Sequence, residues 1–306
     1  MVPRVADSGL RRSTLDWLLE PRNPSARYLT LTRLLGQSAD APHVRASRSA
    51  IAGAAPARDV LVAQYPQGYW MHPGIGYSPC YRATIWQILI LAQLGMARCD
   101  RLDRAVGHLF EENQHSDGAF RASREEGDTP IGLNGSILWA VETLGYGDTP
   151  EVEQAWSWLA REVQMSGAGW ASVRGSKASW SAVKALWAAN AVPPQRRRDP
   201  IRIVRTAAAQ WLLDRAPDPV AGDSCWFPLT FPLTRAADTL QWMAVLTDAG
   251  YGRDPRLSFA RTELARRRHA DGTWPLERVP GKLWADFGEL HKPNKWMTIR
   301  VLATLR

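Results

Sequence analysis

The sequence predicts an all-α fold in which about six helix pairs close into an α/α toroid. Three observations carry that expectation. One loop signature recurs about every fifty residues, Gly and Pro punctuate helical segments with a related spacing, and no stretch alternates apolar and polar residues over a strand's length.

The loop signature appears as Gln64-Tyr-Pro-Gln-Gly-Tyr-Trp70 and again as Gln114-His-Ser-Asp-Gly-Ala-Phe120. Gln164-Met-Ser-Gly-Ala-Gly-Trp170 follows with its glycines displaced, and Arg268-His-Ala-Asp-Gly-Thr-Trp274 closes the series with Arg in place of Gln. Positions 70, 120 and 170 are fifty residues apart, and Trp226 stands near the missing fourth mark. A second marker runs out of phase with the first: Leu144-Gly-Tyr-Gly-Asp-Thr-Pro150 resembles Ala249-Gly-Tyr-Gly-Arg-Asp-Pro255, and Leu94-Gly95 occupies the equivalent place earlier. Gly closes a helix in the left-handed conformation and Pro opens the next. Each period therefore reads as helix, tight turn, helix, then a longer loop.

In chain order, the first helix falls near 10–19, with Leu15, Leu18 and Leu19 on one side. A pair near 27–36 and 43–64 precedes the first signature. The less polar helices follow at 81–94, 132–144, 177–190, 235–249 and 295–305; Ile85, Ile88, Leu89 and Ala92 show the spacing in the first of these. Their amphipathic partners lie near 101–113, 151–163, 200–214 and 256–267. A helix apolar on most sides belongs inside, so the first group is expected to form the inner wall. Closure is expected because the last segment is itself apolar and offers no polar cap. The whole chain, 1–306, reads as one domain, with the helix at 10–19 packing near the closure.

The QxxxGxW pattern of Gln64 to Trp70 resembles the QW signature of squalene–hopene cyclases and related triterpene cyclases, whose toroids are shared with protein prenyltransferase β subunits. Ser25 to Thr30 and Lys292 to Arg300 are similar to segments of small bacterial single-domain proteins described as squalene-cyclase-like or prenyltransferase-like. The resemblance implies that Gln64, Gln114 and Gln164 tie adjacent repeats together while Trp70, Phe120, Trp170 and Trp274 stack between them. It also implies a central cavity for an isoprenoid or related lipid. The acidic DxDD cluster of alkene-protonating cyclases is absent, as are Asp-rich magnesium motifs. Two further readings therefore stand beside an isoprenoid enzyme: a non-catalytic ligand-binding or protein-interaction scaffold, and a glycan-processing α/α-barrel enzyme.

Asp238 lies near the start of a predicted inner helix, where burial would make it a general acid and a first-turn position would make it a helix-stabilising charge. Trp86, Trp139, Trp180, Trp187, Trp242 and Trp296 fall on inner helices, either packing the core or walling a cavity. Tyr81, Arg82, Asn134, Lys295 and Arg300 share those helices, and Arg82 and Lys295 would pair with an anionic headgroup or with internal partners. No cofactor is favoured. The resemblance to prenyltransferase β subunits implies one zinc set, Asp223, Cys225 and His291, although Lys292-Pro293-Asn294 intervenes between that His and its helix.

Composition narrows the remaining classes. Hydrophobic residues make up 45% and charged residues 22%, which is ordinary for a globular chain, while fifteen tryptophans exceed what packing needs. The +8 charge and pI of about 9.7 permit an anionic partner or peripheral membrane contact, but no nucleic-acid module accompanies them. Cys80, Cys99 and Cys225 are too few and too odd for a disulfide framework, and charges interrupt the N-terminus, so a cytoplasmic protein is expected. The oligomeric state is not legible.

Overall fold

The computed structural model describes residues 10–125, 130–165, 176–215 and 228–306. Among them there is no strand, only isolated bridges. The protein is all-α. No helix among the described residues is long and apolar enough to cross a membrane.

Six helices form the inner ring: α2 (Pro24–Leu29, continuing through a wide turn at Thr30–Leu34), α5 (Thr84–Gln93), α7 (Ile131–Leu144), α9 (Ser176–Ala191), α11 (Thr239–Leu246) and α13 (Lys295–Thr304). Every residue of α5 is buried, which matches its nearly uninterrupted apolar sequence. The outer helices are amphipathic: α3 (Pro42–Ser49), α6 (Asp100–Asn113), α8 (Pro150–Met165), α10 (Asp199–Asp214) and α12 (Ser258–Arg266). They pair respectively with α2, α5, α7, α9 and α11. Two short helices, α1 (Arg12–Leu18) and α4 (Ala57–Val62), complete the set.

The ring closes through its own contacts. α5 packs on α7, α7 on α9, α9 on α11, α11 on α13, and α13 on α2. The last junction is completed by a relay: Trp296 Nε1 on α13 donates to Ser25 Oγ on α2 (3.2 Å), which donates to the Leu94 carbonyl behind α5 (2.8 Å). Helix α1 lies beside this seam, with Thr14 Oγ1 donating to the Asp271 carbonyl at 2.8 Å.

Two predicted segments differ in detail. The span 43–64 is broken into α3, a single tight turn at Ile51–Gly53 and α4, because Pro56 has no N–H to continue a helix. The span 235–249 starts late: Asp238 caps α11 and its oxygen accepts from Gln241 N, so the preceding residues are free to take another course.

The described copies of the repeat signature share a backbone contact and divide two side-chain contacts among them. Gln64 Nε2 donates to the Gly68 and Arg101 carbonyls, both at 3.0 Å; Gln114 Nε2 donates to Gly118 (3.0 Å) and Glu151 (2.7 Å). Each amide thus clasps its own loop to the first turn of the next outer helix. Trp70 Nε1 donates to Val60 (2.8 Å) and Trp274 Nε1 to Leu264 (2.7 Å), each ten residues upstream. The backbone N–H at each aromatic is met from the start of the next inner helix, by Thr84, Asn134 or Thr298. Trp170 lies outside the described residues.

Gly118 sits at φ +98°, and a Cβ there would come within 2.6 Å of the Gln154 carbonyl oxygen. Gly145, the left-handed C-cap of α7 at φ +90°, has open space around it. Gly145→Ala is expected to cost about 1–2 kcal/mol, the strain of left-handed backbone alone. Gly118→Ala adds a collision with backbone and should cost at least about 1 kcal/mol more. Urea denaturation of the two variants checks the difference, and equal losses would mean that the loop simply moves away.

Candidate functional site

The residues before α11 do not lie on the ring; they cross it. Leu233 N donates to Gln93 Oε1 at 2.7 Å, and Gln93 Nε2 returns a bond to the Leu233 carbonyl at 2.8 Å. Gln93 belongs to α5, which stands three places from α11 in a ring of six and therefore opposite it. The strap at 229–235 is anchored behind by Arg300 Nη1, which donates to the Thr230 carbonyl at 2.8 Å, and by Phe231 N, which donates to the Arg278 carbonyl at 3.2 Å. Phe231 stacks on Trp296 with ring centroids 5.4 Å apart.

On one side of the strap lies a cavity of about 590 Å³. All six inner helices contribute to it, among them Leu29 from α2, Gln93 from α5, Trp139 from α7, Trp187 from α9, Gln241 from α11 and Trp296 from α13. Trp139 and Trp187 stack 3.7 Å apart, and with Trp296, Ile299 and Phe231 they form the apolar wall. Nearer the N-terminal ends of α7 and α9 is a smaller pocket of about 220 Å³, whose wall includes Tyr77, Trp86, Leu133, Trp180 and Arg235.

Charge is concentrated in and behind the large cavity. Arg33, Arg196 and Arg300 are on its wall with Glu142 and Asp248. Glu142 is engaged by Arg196 Nη1 and Trp156 Nε1, both at 3.0 Å. Arg300 Nη2 approaches Asp238 at 3.4 Å. Arg33 makes no hydrogen bond to protein and has no ion-pair partner within 4.0 Å among the described residues. Water reaches Arg33 inside the cavity while protein surrounds it, and that partial desolvation pushes its pKa down despite the opposing Asp248 charge. Asp248 is likewise open to water, and partial desolvation by the protein around the cavity pushes its carboxyl up, with Arg33 opposing. Behind the wall, Lys184 is 0% exposed and donates to Gln241 Oε1 at 2.9 Å. Desolvation takes its pKa from 10.5 to about 7; Asp238 opposes this and Arg300 adds to it.

The residues singled out from sequence separate into three groups. Trp139 and Trp296 meet in the large cavity, joined by Trp187. Trp86 and Trp180 line the smaller pocket, and Tyr81 packs on Trp86 with centroids 5.7 Å apart. The others serve elsewhere. Asn134 bonds both backbone groups of Phe120, Trp242 is fully buried against Phe259, and the Arg82 guanidinium stacks over Trp284. Lys295 pairs with Glu20 at 2.9 Å, so its charge is used to hold α1. Asp238 is 2% exposed and accepts Gln241 N at 2.7 Å and Thr230 N at 3.0 Å. Its two oxygens cap α11 and hold the strap.

Asp223 and Cys225 lie outside the described residues, and His291 is exposed at φ +62°. Among the described residues no three His, Cys, Asp or Glu side chains are grouped to hold a metal ion.

No family model matches the chain, and no curated protein matches it. Among solved structures, it is similar to a form of the type II terpene cyclase MstE from Scytonema in complex with merosterolic acid A, at 14% identity, covering 97% of this chain and 98% of that one with a TM-score of 0.38. A second form of that cyclase, in complex with geranylgeranyl dihydroxybenzoate, gives 15% identity, 96% and 98% coverage and a TM-score of 0.36. A protein from Actinoplanes gives 15% identity over 81% of this chain and 96% of that one, with a TM-score of 0.32. Likenesses this distant carry no functional weight; the toroid rests on the helix contacts described above.

Proposed function

We propose that this protein binds an elongated apolar molecule of isoprenoid or related lipid type in its central cavity. One observation carries the reading: about 590 Å³ of space walled by all six inner helices, with three indoles, Phe231 and Ile299 on it. That volume and that mixture of apolar wall with a few oriented polar groups suit a small-molecule site. The resemblance of the repeat signature to that of triterpene cyclases supports an isoprenoid body over other apolar ones.

The engaged carboxylates support binding over acid-driven cyclisation. Asp238 spends both oxygens on backbone N–H groups, and Glu142 is held by Arg196 and Trp156. A second reading, proton donation to a bound alkene, is favoured by one group: Asp248 lines the cavity, and partial desolvation there raises its pKa.

Native mass spectrometry of freshly purified protein is expected to show one retained apolar ligand. Titration calorimetry with farnesol should give one-to-one binding, abolished by Ala244→Trp, which fills the cavity from α11. Incubated farnesol should be recovered unchanged under the first reading and converted under the second, with Asp248→Asn blocking conversion. Absence of a retained ligand together with silent titrations would sink both and leave a scaffold.

A further inference from the structure

We propose that the ligand carries an anionic head, a carboxylate or phosphate, seated between Arg33 and Arg300 at the polar side of the cavity. The inference rests on the reading of the cavity as a small-molecule site and specifies what that site selects.

Arg33 is the leading observation. An arginine offers five N–H donors in a rigid fork, and its partners inside a protein are normally carboxylates, carbonyls or aromatic faces. Arg33 has no hydrogen-bonded partner among the described residues and stands open to the water of the cavity it lines. Its N–H groups are hydrated and unclaimed by protein, so an entering oxyanion would exchange that water for charge-assisted hydrogen bonds, and the geometry points to a group that arrives from outside. Arg300 lines the same cavity from α13, which packs on the Thr30–Leu34 turn that carries Arg33. Two like charges facing one space are relieved by an anion between them.

Arg300 is fixed for that task. Its Nη1 is held by the Thr230 carbonyl and its Nη2 lies 3.4 Å from Asp238, which leaves other N–H groups of the fork for a ligand. Arg196 and Glu142 cancel as a pair, and Arg300 leans on Asp238 behind the wall, so Arg33 is the cation on the wall with no ion pair among the described residues. Asp248 is the competing anion, but it lies beyond the 4.0 Å of an ion pair with Arg33 and therefore leaves the fork open. The stacked Trp139–Trp187 pair, Trp296 and Ile299 supply the apolar face for the tail. An amphipathic molecule with one oxyanion end fits this division of the wall better than an uncharged hydrocarbon.

Titration calorimetry of the intact protein with farnesyl phosphate, farnesoic acid, farnesol and inorganic phosphate tests the assignment. Both anionic lipids are expected to bind at least about tenfold more tightly than farnesol, the ratio that one charge-assisted hydrogen bond supplies. Arg33→Gln should remove that advantage and leave farnesol binding unchanged; its guanidinium holds no protein group, so the fold is expected to stand, as circular dichroism would verify. Arg33→Lys should restore part of the preference, because charge returns without the fork. Inorganic phosphate should bind far more weakly than farnesyl phosphate. Equal affinities for farnesol and the two anions, or a preference that survives Arg33→Gln, would overturn the anionic head and leave the apolar cavity intact. Phosphate binding as well as farnesyl phosphate would overturn a single ligand spanning both parts. Silence from all four probes would overturn the head and the cavity reading together.

Discussion

Trp70→Ala is expected to lower unfolding stability by about 3–5 kcal/mol, measured by urea denaturation. The indole is 0% exposed, so truncation opens a cavity that helices on both sides cannot collapse into without losing their own packing. It also deprives the Val60 carbonyl of its Nε1 donor at 2.8 Å. Trp274, buried with an equivalent bond to Leu264, is expected to behave alike on the far side of the ring. Tyr65 belongs to the same signature but is 49% exposed, and Tyr65→Ala should cost less than about 1 kcal/mol. If the Trp70 variant melted like the parent protein, the signature would not be the tie between repeats.

Stability is expected to rise with pH above neutrality because of Lys184. Its folded pKa, about 7, lies below the unfolded value of 10.5, so between those values the unfolded chain binds more protons. The linkage slope is then positive: the stabilising effect of burying a neutral amine is full above the unfolded value and is lost as pH falls through the folded one. The interval corresponds to on the order of 5 kcal/mol, or about 1.4 kcal/mol per pH unit across its middle. Lys184→Met should flatten the dependence between pH 7 and 9.5, whatever it does to stability at one pH through the loss of the Gln241 contact. Denaturation curves at several pH values compare the slopes. Parallel dependences in the parent and the variant would mean that the amine keeps its proton, its charge balanced by Asp238.

Much of the repeat was legible because it is written locally. The spacing of Trp70 and Phe120, the Gly turns and the Pro starts each act within a few residues, and the fifty-residue period also carries Thr84 and Asn134, whose side chains meet the aromatic backbone. Asn134 reads from sequence as a polar ligand contact on an inner helix, and spacing alone does not separate that duty from the backbone contact it makes. Lys295 had the same ambiguity, since nothing in its neighbourhood announces Glu20, nearly the whole chain away. Lys184 is not singled out from sequence; its one signal is a charge within the apolar series Ala182, Val183, Ala185 and Leu186.

Helix periodicity and turn chemistry depend on neighbours in the chain, so the class of fold, the order of inner and outer helices and the repeating residues could be read from residue order. Packing between distant segments set which rings share a cavity, that the residues before α11 cross the ring, and that Arg33 and Arg300 face one space. Those depend on contacts such as Gln93 with Leu233, 140 residues apart, and on how each inner helix is rotated about its axis. A rotation of one residue position turns a side chain by about 100° around the helix, enough to move it from cavity to core, and packing against neighbouring helices sets that rotation.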